Sequence, residues 1–204
     1  MTGHWVRPGV LMVCSVSGKR ALPSELQRCS VTGDLALREF LVISSVSSRP
    51  LLRSQAVASA RGDDFCMASE AEVCAWSGQR CHPRDMATCT ATGLRVKSDY
   101  MAPDGSGALS DIVRLLEGTL HSQDAAENWP AIVARASAIL GNGRLRLQAA
   151  RYSADKNTLA CRCEVKSFLG IFKSHVAFAF SLKDNSVIGR MVRKDDLISE
   201  RRRA

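Results

Sequence analysis

At 204 residues, with 46% apolar content, the chain can bury the core of one or two ordinary globular domains. Aromatics make up only 5%, which argues against a large aromatic-lined pocket, and neither a membrane partner nor a small-molecule substrate is expected. The formal charge of +8 is uneven: residues 144–204 hold 14 basic and 6 acidic residues, so a basic contact surface belongs at the C-terminal end.

Residues 1–13 read as an entry strand ending in the apolar run Val10–Val13. That run is too short for a signal-peptide core or a membrane span, so the expectation is a cytoplasmic protein. In a reducing compartment the eight cysteines are metal ligands or buried thiols rather than disulfides.

Six contiguous segments of 15 residues then occupy positions 14–103, beginning at Cys14, Cys29, Ser44, Ser59, Cys74 and Cys89. The shared frame is C/S-x-x-S/T-G, a mostly apolar pair, then a charged or polar residue followed by Leu, Met or Ala. The first and fifth segments match best: Cys14, Ser17, Gly18, Pro23, Glu25 and Leu26 against Cys74, Ser77, Gly78, Pro83, Asp85 and Met86. The middle pair has Ser44 and Ser59 in the cysteine column. Each segment reads as a knuckle: a tight Ser/Thr-Gly turn, a short apolar strand and, in the first and fifth, a helical turn opened by proline. Such a unit cannot bury a core alone and needs its neighbours, a metal, or both.

A zinc knuckle supplies two thiolates from C-x-x-C-G, but here the second position is Ser or Thr, so each knuckle offers one. Cys14, Cys29, Cys74 and Cys89 are therefore the expected ligands of one structural Zn(2+), made by closing the array. A competing site would use Cys66, Cys74, Cys81 or His82, and Cys89. The plain alternative is that these cysteines are small buried hydrophobes, as Cys161 and Cys163 on the apolar face of a strand also read.

PDGSGA, residues 103–108, is a linker. Leu109, Ile112, Val113, Leu116 and Leu120 mark one helix; Asn128 as N-cap, Pro130, the stripe Trp129 to Leu140 and the stop at Gly141 mark a second. Four strands of period two follow, around Leu145–Leu147, Leu159–Val165, Val176–Phe180 and Val187–Val192, and SERRRA is read as a solvated tail. The fold class expected is α+β: tandem β-knuckle repeats, zinc-ribbon-like, over residues 1–103, then two helices packed on a four-stranded antiparallel meander over 108–204.

The meander would present one apolar and one basic face. Arg144, Arg146, Arg162, Lys166, Arg190, Arg193 and Lys194 are the candidate nucleic-acid contacts, directed at the phosphate backbone rather than at bases. The bland alternative is a solvated face with Glu164, Asp184 and Asp195 as counter-charges. A protein–protein adaptor would instead use Trp76, Phe168, Leu169, Ile171 and Phe172 as exposed apolar contacts.

Catalysis has little support. Cys81 and His82 are chain neighbours, which do not generally face each other, and His4, His121 and His175 are scattered. No phosphate loop, G-x-G-x-x-G or H-E-x-x-H is present, and Asp63-Asp64 and Asp195-Asp196 read as solvated loop carboxylates. A four-thiolate zinc has no open position for water, so the chain is not expected to be an enzyme.

CSVSGKRALPSELQRCSVTG and CAWSGQRCHPRDMATCTATG resemble the cysteine-repeat regions of bacterial Swi/Snf-type helicases and their accessory proteins, over roughly residues 10–103. No motor motif accompanies them. The resemblance implies an accessory or targeting module that works beside a nucleic-acid enzyme, with Cys14, Cys29, Cys74 and Cys89 as its metal-holding positions.

Overall fold

The computed structural model describes residues 8–120, 128–141, 144–167 and 172–201. The architecture is α+β: a series of small two-stranded hairpins, one four-stranded antiparallel sheet and, among the described residues, three α-helices.

Six hairpins follow the chain: β1 (Met12–Val13) with β2 (Arg20–Ala21), β3 (Leu26–Arg28) with β4 (Leu35–Leu37), β5 (Leu41–Ile43) with β6 (Pro50–Leu52), β7 (Ala56–Ala58) with β8 (Phe65–Met67), β9 (Glu72–Val73) with β10 (Arg80–Cys81), and β11 (Met86–Thr88) with β12 (Arg95–Lys97). Each knuckle is the turn of one hairpin. In the first, the Cys14 N–H donates to the Lys19 carbonyl and the Gly18 N–H to the Cys14 carbonyl, both at 2.9 Å. That closure needs a left-handed residue. Glycine supplies it at Gly18, Gly33, Gly78 and Gly93; in the third segment, where the glycine is lost, Ser48 takes the conformation at φ 60°. A 3-10 turn separates the strands of neighbouring hairpins at Pro23–Glu25, Arg38–Phe40, Arg53–Gln55 and Pro83–Asp85, and another, Ser98–Tyr100, follows β12.

The packing divides the chain inside the array, whereas the sequence placed the boundary at 103–108. One unit comprises the residues up to Glu72 together with Arg80–Asp85; the other comprises Val73–Gln79 and the chain from Met86 onward.

In the first unit each segment bonds to the next. The N–H groups of Ser15, Ser30 and Ser45 donate to the carbonyls of Leu35, Pro50 and Phe65 at 2.8–2.9 Å. The core between them is made of Ala21, Leu26, Ala36, Leu41, Val42, Leu51, Leu52 and Met67, with Cys14 and Cys29.

The second unit contains β11 and β12 and the sheet β13 (Arg144–Tyr152), β14 (Thr158–Ser167), β15 (Phe172–Ser181) and β16 (Ser186–Arg193) in that order, with α1 (Ser110–Glu117), α2 (Trp129–Leu140) and α3 (Lys194–Arg201). Ile132 and Ala136 of α2 pack on Leu147, Cys161, Cys163, Phe178 and Phe180. The opposite face is not open as the sequence suggested. Ala160, Ala177 and Ala179 leave room there for α1, which lies over β14 and β15 and buries Ile112, Val113, Leu115 and Leu116.

Two further readings are corrected. Asn128 has helical backbone angles and makes no cap bond; its amide donates to the Tyr152 hydroxyl at 3.2 Å. The chain after β16 forms α3, and Asp196 accepts the Arg193 N–H at 2.8 Å, so the Asp195-Asp196 pair is a helix start rather than a loop.

The third segment has its own inter-segment clamp. Ser44 Oγ donates to Glu70 Oε2 at 2.6 Å, and the Met67 N–H donates to the same oxygen at 2.9 Å. Glu70→Ala should therefore cost about 1–3 kcal/mol in urea unfolding, the penalty of a stranded hydroxyl and N–H. Glu39→Ala, at an exposed carboxylate, should stay within about 0.5 kcal/mol. Equal costs would remove the clamp from the account.

Candidate functional site

The cysteine column is a hydrogen-bond column. Cys14 Sγ accepts the Leu37 N–H at 3.5 Å, Cys29 Sγ that of Leu52 at 3.4 Å, Cys74 Sγ that of Lys97 at 3.2 Å and Cys89 Sγ that of Leu109 at 3.2 Å. All four side chains are buried. Burial pushes the Cys14 thiol up, but bonds from the Ser17 hydroxyl and from the backbone N–H groups of Ser17, Leu37 and Val16 outweigh it and bring it from 9.0 down to about 7. Cys29 is lowered in the same way: burial raises it, while the Thr32 hydroxyl and backbone, Leu52 and Val31 together lower it further.

Cys14 and Cys29 sit in successive segments of the first unit, Cys74 and Cys89 in successive segments of the second, and each bonds its own backbone amide. Among the described residues no three His, Cys, Asp or Glu side chains gather closely enough to hold a metal ion. Each unit by itself holds two of the four thiols expected to ligate Zn(2+). His82 is buried, with Nδ1 accepting the Arg84 N–H at 3.2 Å and Nε2 at 2.9 Å from Ser45 Oγ. Burial, then the carboxylates of Glu70 and Asp85, raise the Cys66 thiol. Cys161 and Cys163 lie in the apolar core, where burial raises both, Cys163 to about 12.

The basic candidates separate into distinct environments. Arg162 is half-buried and donates from Nη1 to the Leu115 carbonyl at 3.2 Å, capping the C-terminal end of α1. Lys166 lies 3.6 Å from Glu164. Arg146, Arg190, Arg193 and Lys194 are exposed. Arg144 is placed by its backbone alone, directly opposite Lys166, and Lys166 is directly opposite Lys173 on β15. The register thus sets three cationic positions in a row across three strands at one end of the sheet.

The adaptor residues are not an exposed set. Trp76 is 3% exposed, and the side chains of Phe168, Leu169, Ile171 and Phe172 lie outside the described residues.

The sequence missed a cleft of about 1020 Å³ in the second unit, lined by Trp76, Tyr100, Asp111, Arg151, Tyr152 and Lys156 among others. Aromatics are sparse overall, yet both tyrosines of the chain line this one cleft. The available signal was departure from the repeat: Trp76 stands where the first three segments have Val16, Val31 and Val46, and Tyr100 stands where four segments have Glu25, Gln55, Glu70 and Asp85.

Comparison with protein-family models, with curated proteins and with solved structures produced no match. No helix among the described residues is long and apolar enough to cross a membrane.

A thiol whose pKa falls on folding contributes stability that is complete above its unfolded value and is lost as pH drops through its folded one. For Cys14 that window runs from 9.0 down to about 7. The melting temperature of the wild type should therefore rise relative to Cys14→Ser as pH is raised from about 7 to 9.0, measured by thermal scans at matched ionic strength. A pH-independent gap would show that Cys14 is not held as a thiolate.

Proposed function

We propose that the protein is a non-catalytic binding module that holds nucleic acid by its phosphate backbone, as an accessory beside a helicase-type enzyme. The observation that carries this reading is the row Arg144, Lys166 and Lys173. Like charges placed directly opposite on neighbouring strands destabilise a sheet, so three in line at a sheet end call for an anionic partner. Arg146, Arg190, Arg193 and Lys194 add exposed positive charge to the same unit. Glu164, opposite Arg146 and 3.6 Å from Lys166, offsets part of it. Arg162 leaves the contact set, because its guanidinium is engaged by α1. The scaffold part of the reading is supported by the backbone N–H groups of successive segments that donate to the sulfur column.

A protein–protein adaptor is the second reading, favoured by a different observation. Val16, Val31 and Val46 recur in one column of the first unit at 48%, 49% and 52% exposure. An apolar column repeated at a fixed interval suits a partner surface better than scattered exposed valines would.

Lys166→Glu with Lys173→Glu should weaken binding to single- or double-stranded nucleic acid by at least about tenfold and flatten the log K against log salt plot by about two phosphates' worth. Fluorescence anisotropy across a salt series measures both. Binding that ignores salt, or survives the double reversal, would leave the adaptor reading.

A further inference from the structure

The cleft offers three kinds of group in one place. Tyr100 and Tyr152 present aromatic surface beside the buried Trp76, Arg151 and Lys156 present positive charge, and Asp111 presents a carboxylate. Its volume, about 1020 Å³, lies at the upper end of the range of small-ligand sites. Tyr and Trp suit such walls because each joins an apolar ring to a polar edge.

The walls are built by distinct parts of the fold. Trp76 comes from a knuckle turn, and its carbonyl accepts the Ala154 N–H at 3.1 Å, which fixes the β13–β14 turn beside it. In that turn Asp155 Oδ1 accepts from Ser153 Oγ at 2.6 Å and from the Asn157 N–H at 3.1 Å. Lys156 is thereby held at φ 58°, a conformation that glycine or asparagine would adopt more cheaply, with its side chain exposed at the cleft. Tyr152 is oriented by the Asn128 amide. Arg151 Nε stands 3.7 Å from Asp111 Oδ2, longer than a charge-assisted hydrogen bond, which leaves guanidinium donors for another anion.

We propose that this cleft binds a ribonucleotide, with the base against the aromatic walls, the phosphate on Arg151 and Lys156, and the ribose hydroxyls donating to Asp111. Each part answers a group present: π-faces stack bases, a guanidinium and an ammonium pair with phosphate, and a carboxylate is the usual acceptor for ribose hydroxyls. The site is distinct from the cationic row. Arg144 and Tyr152 end the same strand, roughly 25 Å apart at strand rise, so the two can be tested separately.

The test is calorimetry on the full chain with each of the four ribonucleoside 5′-monophosphates, the matching deoxynucleotide, the free nucleoside, inorganic phosphate and a short oligoribonucleotide. At least one ribonucleotide should bind in one-to-one ratio, with the deoxynucleotide and the nucleoside each weaker by at least about tenfold, the loss of a charge-assisted contact. Lys156→Ala and Tyr100→Ala, both at side chains that are not buried, should each reduce affinity by a similar factor while the melting temperature holds. Lys166→Glu with Lys173→Glu should leave mononucleotide binding unchanged, so that failure of the phosphate-row reading and failure of this one are told apart. Tighter binding of the oligomer, lost in that double variant, would support the site with RNA as the source; equal affinity would support it with free nucleotide as the source. No heat with any ribonucleotide at millimolar concentration, binding no better than inorganic phosphate, or indifference to Lys156→Ala and Tyr100→Ala would overturn it.

Discussion

The array depends on one contact: the sulfur at the first position of a segment accepts a backbone N–H contributed by the chain beyond the next knuckle. A 15-residue hairpin is too small to stand by itself, and the contact ties each hairpin to its successor. Sulfur suits the task because it is large and soft, reaching amides at 3.2–3.5 Å from inside an apolar core without demanding a full shell of partners. The two serine segments show what substitution requires. Ser44 does not bond the equivalent amide; Glu70 accepts both the hydroxyl and the Met67 N–H. Ser59 likewise donates to Asp85 Oδ1 at 2.7 Å, and Asp85 Oδ2 accepts the Ala60 N–H at 2.8 Å. Where the first position loses sulfur, the position 26 residues onward gains a carboxylate; after the cysteines the same offset gives Phe40, Gln55, Tyr100 and Leu115.

The same frame serves two purposes in the two units. In the first, the third position of the knuckle is an exposed valine in three of the four segments and Arg61 in the fourth. In the second it is Trp76 or Ala91, both buried, and the carbonyls of these two residues accept N–H groups from Ala154 and Arg190. Gly189 comes so close to Thr92 that a Cβ there would overlap its backbone, so the β16 strand can pass over that knuckle only with glycine. Knuckles five and six are thereby part of the globular unit, and the aromatic wall of the cleft exists because one of them carries tryptophan.

Much of this was legible in the residues themselves. The period of 15 located every knuckle, and positive φ fell on the four shared glycines. The helical stripe from Leu109 to Leu120 is buried throughout, and alternation in the C-terminal third located all four strands. What failed was anything set by partners distant in sequence. Spacing could not reveal that each sulfur of the column accepts an amide N–H from 20 or 23 residues ahead. Arg146, Arg162 and Lys166 suggested a solvated face, but Ala160, Ala177 and Ala179 on that side were the sign of a covering helix, since alanine on an outward strand face has little to gain from water. Aromatic composition averaged over the chain concealed the gathering of Trp76, Tyr100 and Tyr152.

Amide hydrogen exchange tests the central contact directly. If sulfur acceptance ties the segments together, the N–H groups of Leu37, Leu52, Lys97 and Leu109 should exchange among the slowest in the native protein, and Cys14→Ala should release Leu37 while leaving Lys97 and Leu109 protected. Rapid exchange at all four in the wild type, or a Leu37 amide indifferent to the loss of the Cys14 sulfur, would contradict the account.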